Sequence, residues 1–157
     1  MDPTLAGFQT FITNVMGISS GNLSPTNPVI AFVYNLAVNM VNPAIDHLPN
    51  SDPTQPTMYA VAVYNYAGDA LIQLAQDTAP SFTPPVSYFV GLRQSYGLNS
   101  LPTGMVSSTG DQGTNSSYVV PDFAATLQIM DLQQMKTPYG RMYLSIAQNY
   151  GSLWGLS

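Results

Sequence analysis

A chain of 157 residues is long enough for one domain with its own core, and with no cysteine it excludes disulfide scaffolds, thiol catalysis and cysteine-held zinc or iron–sulfur sites. Charged residues are 7% of the chain, against roughly 25% in an average domain, and three cations in a net charge of −5 exclude a patch that neutralises several phosphates. With 45% hydrophobic residues and so little surface charge, the composition points to protein partners rather than to a freely soluble monomer.

The first helix is expected over about 3–17, opened by Asp2 as N-cap and Pro3, with Leu5, Phe8, Ile12 and Val15 on one face. Asn27 and Pro28 repeat that signal for a second helix over about 28–42, with Val29, Phe32, Val33, Leu36, Met40 and Val41 as its apolar face. Residues 43–56 carry four prolines and read as an extended connector, which also holds the lone His47. Thr57 caps a third helix over about 58–77, and a fourth over about 86–96 carries Tyr88, Phe89, Leu92 and Tyr96 before a stop at Gly97.

From 104 to 120 the composition turns to glycine and hydroxyl residues around Gly-Asp-Gln-Gly, the pattern of a β-hairpin or extended arm. A fifth helix over about 122–135 offers Phe123, Leu127, Met130 and Met135 to the core, a sixth runs over about 138–150, and a tail follows over 151–157. The expected fold is therefore mainly α: one domain over 1–157, a small bundle of five to six helices with the arm before the last two.

Two apolar stretches approach membrane-spanning length, Asn27 to Ile45 and Met58 to Ala75, but each carries a polar stripe at helical spacing. Asn35, Asn39 and Asn42 mark the first, and Asn65, Asp69, Gln73 and Gln76 the second, so no membrane role is expected. Asp69 reads as the water-facing side of its helix. Nor is an enzyme expected. Ser51, His47 and Asp46 or Asp52 are neighbours only within a proline-rich loop, and Gly110 and Gly113 lack the lysine and helix start of a phosphate cradle, so no catalytic residue, cofactor or metal is assigned.

The densest signal is Lys136-Thr-Pro-Tyr-Gly-Arg-Met-Tyr143. Thr137 caps, Pro138 fits the first helical position, and Tyr139, Tyr143, Ile146 and Tyr150 share a face that suits either the core or a contacted surface. Gly140 in the first turn costs about 1 kcal/mol relative to alanine if treated as interior, which points to close approach of another backbone. Arg141 and, with less context, Arg93 read as anchors for a partner's carboxylate or carbonyl.

The order of glycine, serine and threonine arm, helix and then Thr137-Pro138-Tyr139-Gly140-Arg141-Met142-Tyr143 resembles the head-to-tail connector proteins of long-tailed bacteriophages, also called adaptor or head completion proteins. The resemblance is good from Val86 onward and general in the N-terminal helices, while the scarcity of charge and the long proline-rich connector depart from it. It implies a structural, non-enzymatic virion protein, assembled in the host cytoplasm and located in the neck. There it would form a dodecameric ring between the portal protein and a downstream neck, stopper or tail-completion protein, with DNA passing through the lumen without specific binding. Under this reading the partner-facing candidates are Arg93, Met105, Val106, Tyr118, Tyr139, Arg141, Tyr143, Leu153, Trp154 and Leu156. The alternatives are another neck or tail-completion subunit and a small helical enzyme.

Overall fold

The fold is organised around one helix, Met58–Leu74 (α3), whose sequence suits an axial position. Ala60, Ala62, Ala67 and Gly68 keep its surface shallow, and buried residues occur on every side of it, from Val63 and Leu71 to Tyr66 and Asp69. Such a helix is surrounded rather than laid on a surface. The computed structural model describes residues 1–46, 55–77, 88–100, 108–111, 114–117 and 129–149. Among these are six α-helices, so the chain is mainly helical.

The other helices are Leu5–Asn14 (α1), Pro28–Met40 (α2), Tyr88–Ser95 (α4), Ile129–Gln134 (α5) and Pro138–Asn149 (α6). Helix α6 makes the largest contact with α3, and α2 the next. Both run antiparallel to it. For α2, the Tyr59 hydroxyl donates to the Val38 carbonyl at one end, and Val29 and Leu74 line a common hollow at the other. For α6, Thr137 meets Asp69 and Tyr143 meets Tyr66. Helix α1 runs parallel to α3, since Thr4 meets Tyr64 and Phe11 lies over Gly68.

Several start signals act where the sequence places them. Asn27, Thr57 and Thr137 each accept a first-turn N–H, from Val29, Ala60 and Gly140 respectively. The first helix departs from expectation: its cap is Thr4, which accepts from the Gly7 N–H, rather than Asp2. Long-range bonding decides between the two, because the Tyr64 hydroxyl accepts from the Thr4 N–H at 3.0 Å and donates to its carbonyl at 3.3 Å. Asp2 is exposed instead, and the Tyr59 phenol pKa is raised by burial first and by the Asp2 charge second.

The apolar face expected for α2 is too broad. Ile30, Val33, Ala37 and Val41 form the buried stripe, while Phe32, about 200° round the helix from Ile30 at 100° per residue, is 60% exposed. Met40 is also exposed, as are Leu5 and Val15 at the two ends of α1 and Met135 after α5. The helices end earlier than the periodicity suggests, α1 at Asn14, α2 at Met40 and α3 at Leu74. The expected connector begins instead with a 3-10 turn, Pro43–Ile45, whose Asn42 cap accepts from Ala44 N–H and whose Ile45 is buried.

Helix α4 ends as Gly97 allows. Its φ of +64° lets the Leu98 N–H return to Arg93 O at 2.8 Å and the Gly97 N–H to Gln94 O at 3.1 Å, a Schellman closure. Ser108–Asp111 (β1) and Thr114–Ser117 (β2) pair antiparallel, with Ser108 opposite Ser117 and Asp111 opposite Thr114. Of the fifth helix expected over 122–135, the described part is Ile129–Gln134. His47, Ser51, Asp52, Phe123 and Leu127 lie outside the described residues.

Candidate functional site

The Thr137 hydroxyl is buried and bonds in two directions. It donates to Asp69 Oδ1 at 2.5 Å and accepts from the Gly140 N–H at 2.9 Å, so one atom caps α6 and ties that cap to the middle of α3. Asp69 Oδ2 accepts from the Gln73 side-chain amide at 2.7 Å. Asp69 is 4% exposed, which corrects its expected place on a water-facing stripe; Asn65, buried beside it, satisfies its amide on the Val61 carbonyl. Burial pushes the Asp69 carboxyl up to about 6, with the Thr137 and Gln73 hydrogen bonds pulling the other way.

Gly140 acquires a specific reason here. A Cβ at that position would collide with the Gln134 carbonyl and lie 2.9 Å from Gln134 Cα, so α5 and α6 pack backbone to backbone. The close approach expected from the sequence is therefore made within the chain. Tyr143 packs edge-on to Tyr66 at 5.0 Å between ring centres, and Tyr139 edge-on to Phe11 at 6.0 Å. Burial raises the Tyr143 phenol to about 12, aided by Tyr66 and Asp131.

Three of the described charges, Arg93, Lys136 and Asp77, serve helix ends. The Arg93 guanidinium donates to the carbonyls of Ala75 at 2.7 Å and Ile72 at 3.1 Å, closing the C-terminus of α3. Lys136 Nζ donates to Gly97 O at 2.8 Å and to Ser100 O, holding the turn after α4. Asp77 accepts from the Phe89 and Val90 N–H groups at 2.8 and 3.1 Å, at the start of α4. Each pairing puts a charge where the helix dipole favours it.

Of the partner-facing candidates, Arg93 is therefore spent within its own chain, Tyr143 is buried and Tyr139 is half-buried against Phe11. A short helix presenting an arginine beside another helix's open carbonyls bonds to them first, because they have no intrahelical donor. Arg141 is exposed and its side chain makes no hydrogen bond or ion pair among the described residues, and Met142 beside it is half exposed. Met105, Val106, Tyr118, Leu153, Trp154 and Leu156 lie outside the described residues.

Sequence reasoning missed a groove of about 380 Å³ beside α1, floored by Ile12, Ile18, Leu23 and Ile30. Its rim is polar but occupied: Thr10 and Thr13 bond back to α1 carbonyls, and the Gln9 amide donates to Pro25 O. No titratable side chain among the described residues lines it. Among the described residues no set of three acidic or histidine side chains could hold a metal ion, and no helix is long and apolar enough to cross a membrane. No family model, curated protein or solved structure matches this chain.

Proposed function

We propose that this chain is a structural virion protein of the bacteriophage head-to-tail connector type, acting as a ring between the capsid portal and the tail. The observation that carries the reading is how the Thr137–Tyr143 segment is used. Thr137, Gly140 and Tyr143 seat α6 on its own chain, while Arg141 and Met142 are left outward on a helix that cannot easily shift. A rigid helix with an outward cation suits assembly with a fixed neighbour better than the reshaping of a substrate pocket.

In this reading the paired strands Ser108–Asp111 and Thr114–Ser117 belong to an arm over 104–120 that reaches the portal or an adjacent subunit, with the tail over 153–157 as a second contact. The ring is dodecameric, sits in the neck of the virion and is assembled in the host cytoplasm. DNA crosses its lumen without specific binding, which suits a chain carrying three basic residues. Electron microscopy of the purified chain with and without its portal tests the proposal. A closed ring, alone or on the portal, is the expected result, and a monodisperse monomer indifferent to the portal overturns it. A ring that binds the tail side while ignoring the portal would reassign the chain to another neck or tail-completion subunit.

A further inference from the structure

The described charges divide unevenly once their intramolecular partners are counted. Arg93, Lys136 and the N-terminal ammonium all bond to backbone carbonyls, which leaves Arg141 as the cation without a partner among the described residues. Among the acids, Asp69 and Asp77 are engaged at helix starts and Asp131 has a partner as well, whereas the side chains of Asp2 and Asp46 are exposed and make no hydrogen bond or ion pair among the described residues. These two lie at one end of the bundle. Asp2 follows Met1, whose carbonyl accepts from the Thr57 N–H at the start of α3, and Asp46 follows the 3-10 turn that leaves the adjacent C-terminus of α2 and packs on α3.

The same end carries exposed apolar surface, with Met40 at 50% and Met58 at 44% exposure, and Met142 beside Arg141 is equally open at 50%. The molecule thus presents two unlike patches, each pairing flexible methionine with charge, and the charges are of opposite sign.

We propose that the Arg141–Met142 face of α6 docks onto the acidic, methionine-bearing end of a second copy of this chain, at Asp2, Asp46, Met40 and Met58. The charge complementarity selects a second copy as the occupant. Because the patches differ, the contact is heterologous, and repeating it builds either a closed ring or an open chain of subunits. The inference deepens the connector reading by naming the surfaces its subunits would share.

The test is sedimentation velocity and electron microscopy of the full chain, with Arg141→Asp, with the double variant Asp2→Lys and Asp46→Lys, and with an equimolar mixture of the two. Unchanged helical circular dichroism verifies folding, since all three positions are exposed. Each variant alone is expected to self-associate about tenfold more weakly or worse. The mixture is expected to recover assembly, because every junction then joins opposite charges again. Assembly of Arg141→Asp at wild-type strength, or a mixture that stays apart, overturns the docking while leaving the ring reading standing. Open oligomers that obey the charge-swap rule yet never close or meet a portal support the docking and sink the connector reading. A wild-type chain that remains monomeric at every concentration, with or without portal, overturns both.

Discussion

Thr137 donates its hydroxyl hydrogen to the Asp69 carboxylate at 2.5 Å, joining positions 68 residues apart in the chain, and that bond decides how α6 sits. Replacing Thr137 by valine keeps the shape but removes both roles of the oxygen. The loss combines about 1 kcal/mol for the helix cap with about 1–3 kcal/mol for a buried carboxylate left short of a donor. Thr137→Ser, which keeps the hydroxyl, should lose well under half as much in a denaturant titration. Equal losses for the two substitutions would show that the methyl group matters more than the bond.

Asp69 makes the fold sensitive to pH. Its folded pKa of about 6 lies above the ordinary 3.8, so the folded state holds the proton more tightly than the unfolded chain. The associated stabilisation is complete below about pH 3.8 and is lost as pH rises through about 6, a difference of order 3 kcal/mol by linkage. Asp69→Asn should abolish that dependence and leave the protein more stable than wild type at pH 8. Urea midpoints measured from pH 4.5 to 8 check this, and parallel profiles for the two proteins would refute it.

These two residues also mark what the sequence can and cannot disclose. The caps at Asn27, Thr57 and Thr137 and the reversal at Gly97 are local, each settled within four or five residues, and were readable as such. The place of Asp69 was not, because its i±4 neighbours Asn65 and Gln73 are polar and make a convincing solvent stripe until α6 arrives from elsewhere to cover it. Thr4 prevailing over Asp2 as the first cap has the same origin, a bond to Tyr64 far along the chain. Arg93 reads from the sequence as an anchor for a partner's carboxylate or carbonyl; that its carbonyls belong to the end of α3 in its own chain required the fold.

Gly140→Ala brings a methyl group against the Gln134 carbonyl, where the obstacle is backbone and cannot swing aside. A cost of about 1–3 kcal/mol is expected from such overpacking, despite the better helix propensity of alanine. Thermal unfolding followed at 222 nm measures it, and a stabilised variant would mean that α5 moves away freely.

The two arginines should separate cleanly. Arg93→Ala strips the donor from the last carbonyls of α3 and should lower stability by about 1–3 kcal/mol. Arg141→Ala, on the open face of α6, should change it by about 0.5 kcal/mol or less. Chemical denaturation of both variants side by side gives the comparison, and equal effects would place Arg141 in an intramolecular contact.

Because α3 is enclosed by a helix that precedes it and another that follows by more than sixty residues, synthesis imposes an order on its completion. While the ribosome is still making the middle of the chain, α1, α2 and α3 can gather around Phe8, Val33 and Val63, but the side of α3 bearing Tyr66 and Asp69 stays open. That side of α3 therefore waits for its cover until the TPYGR segment emerges from the exit tunnel.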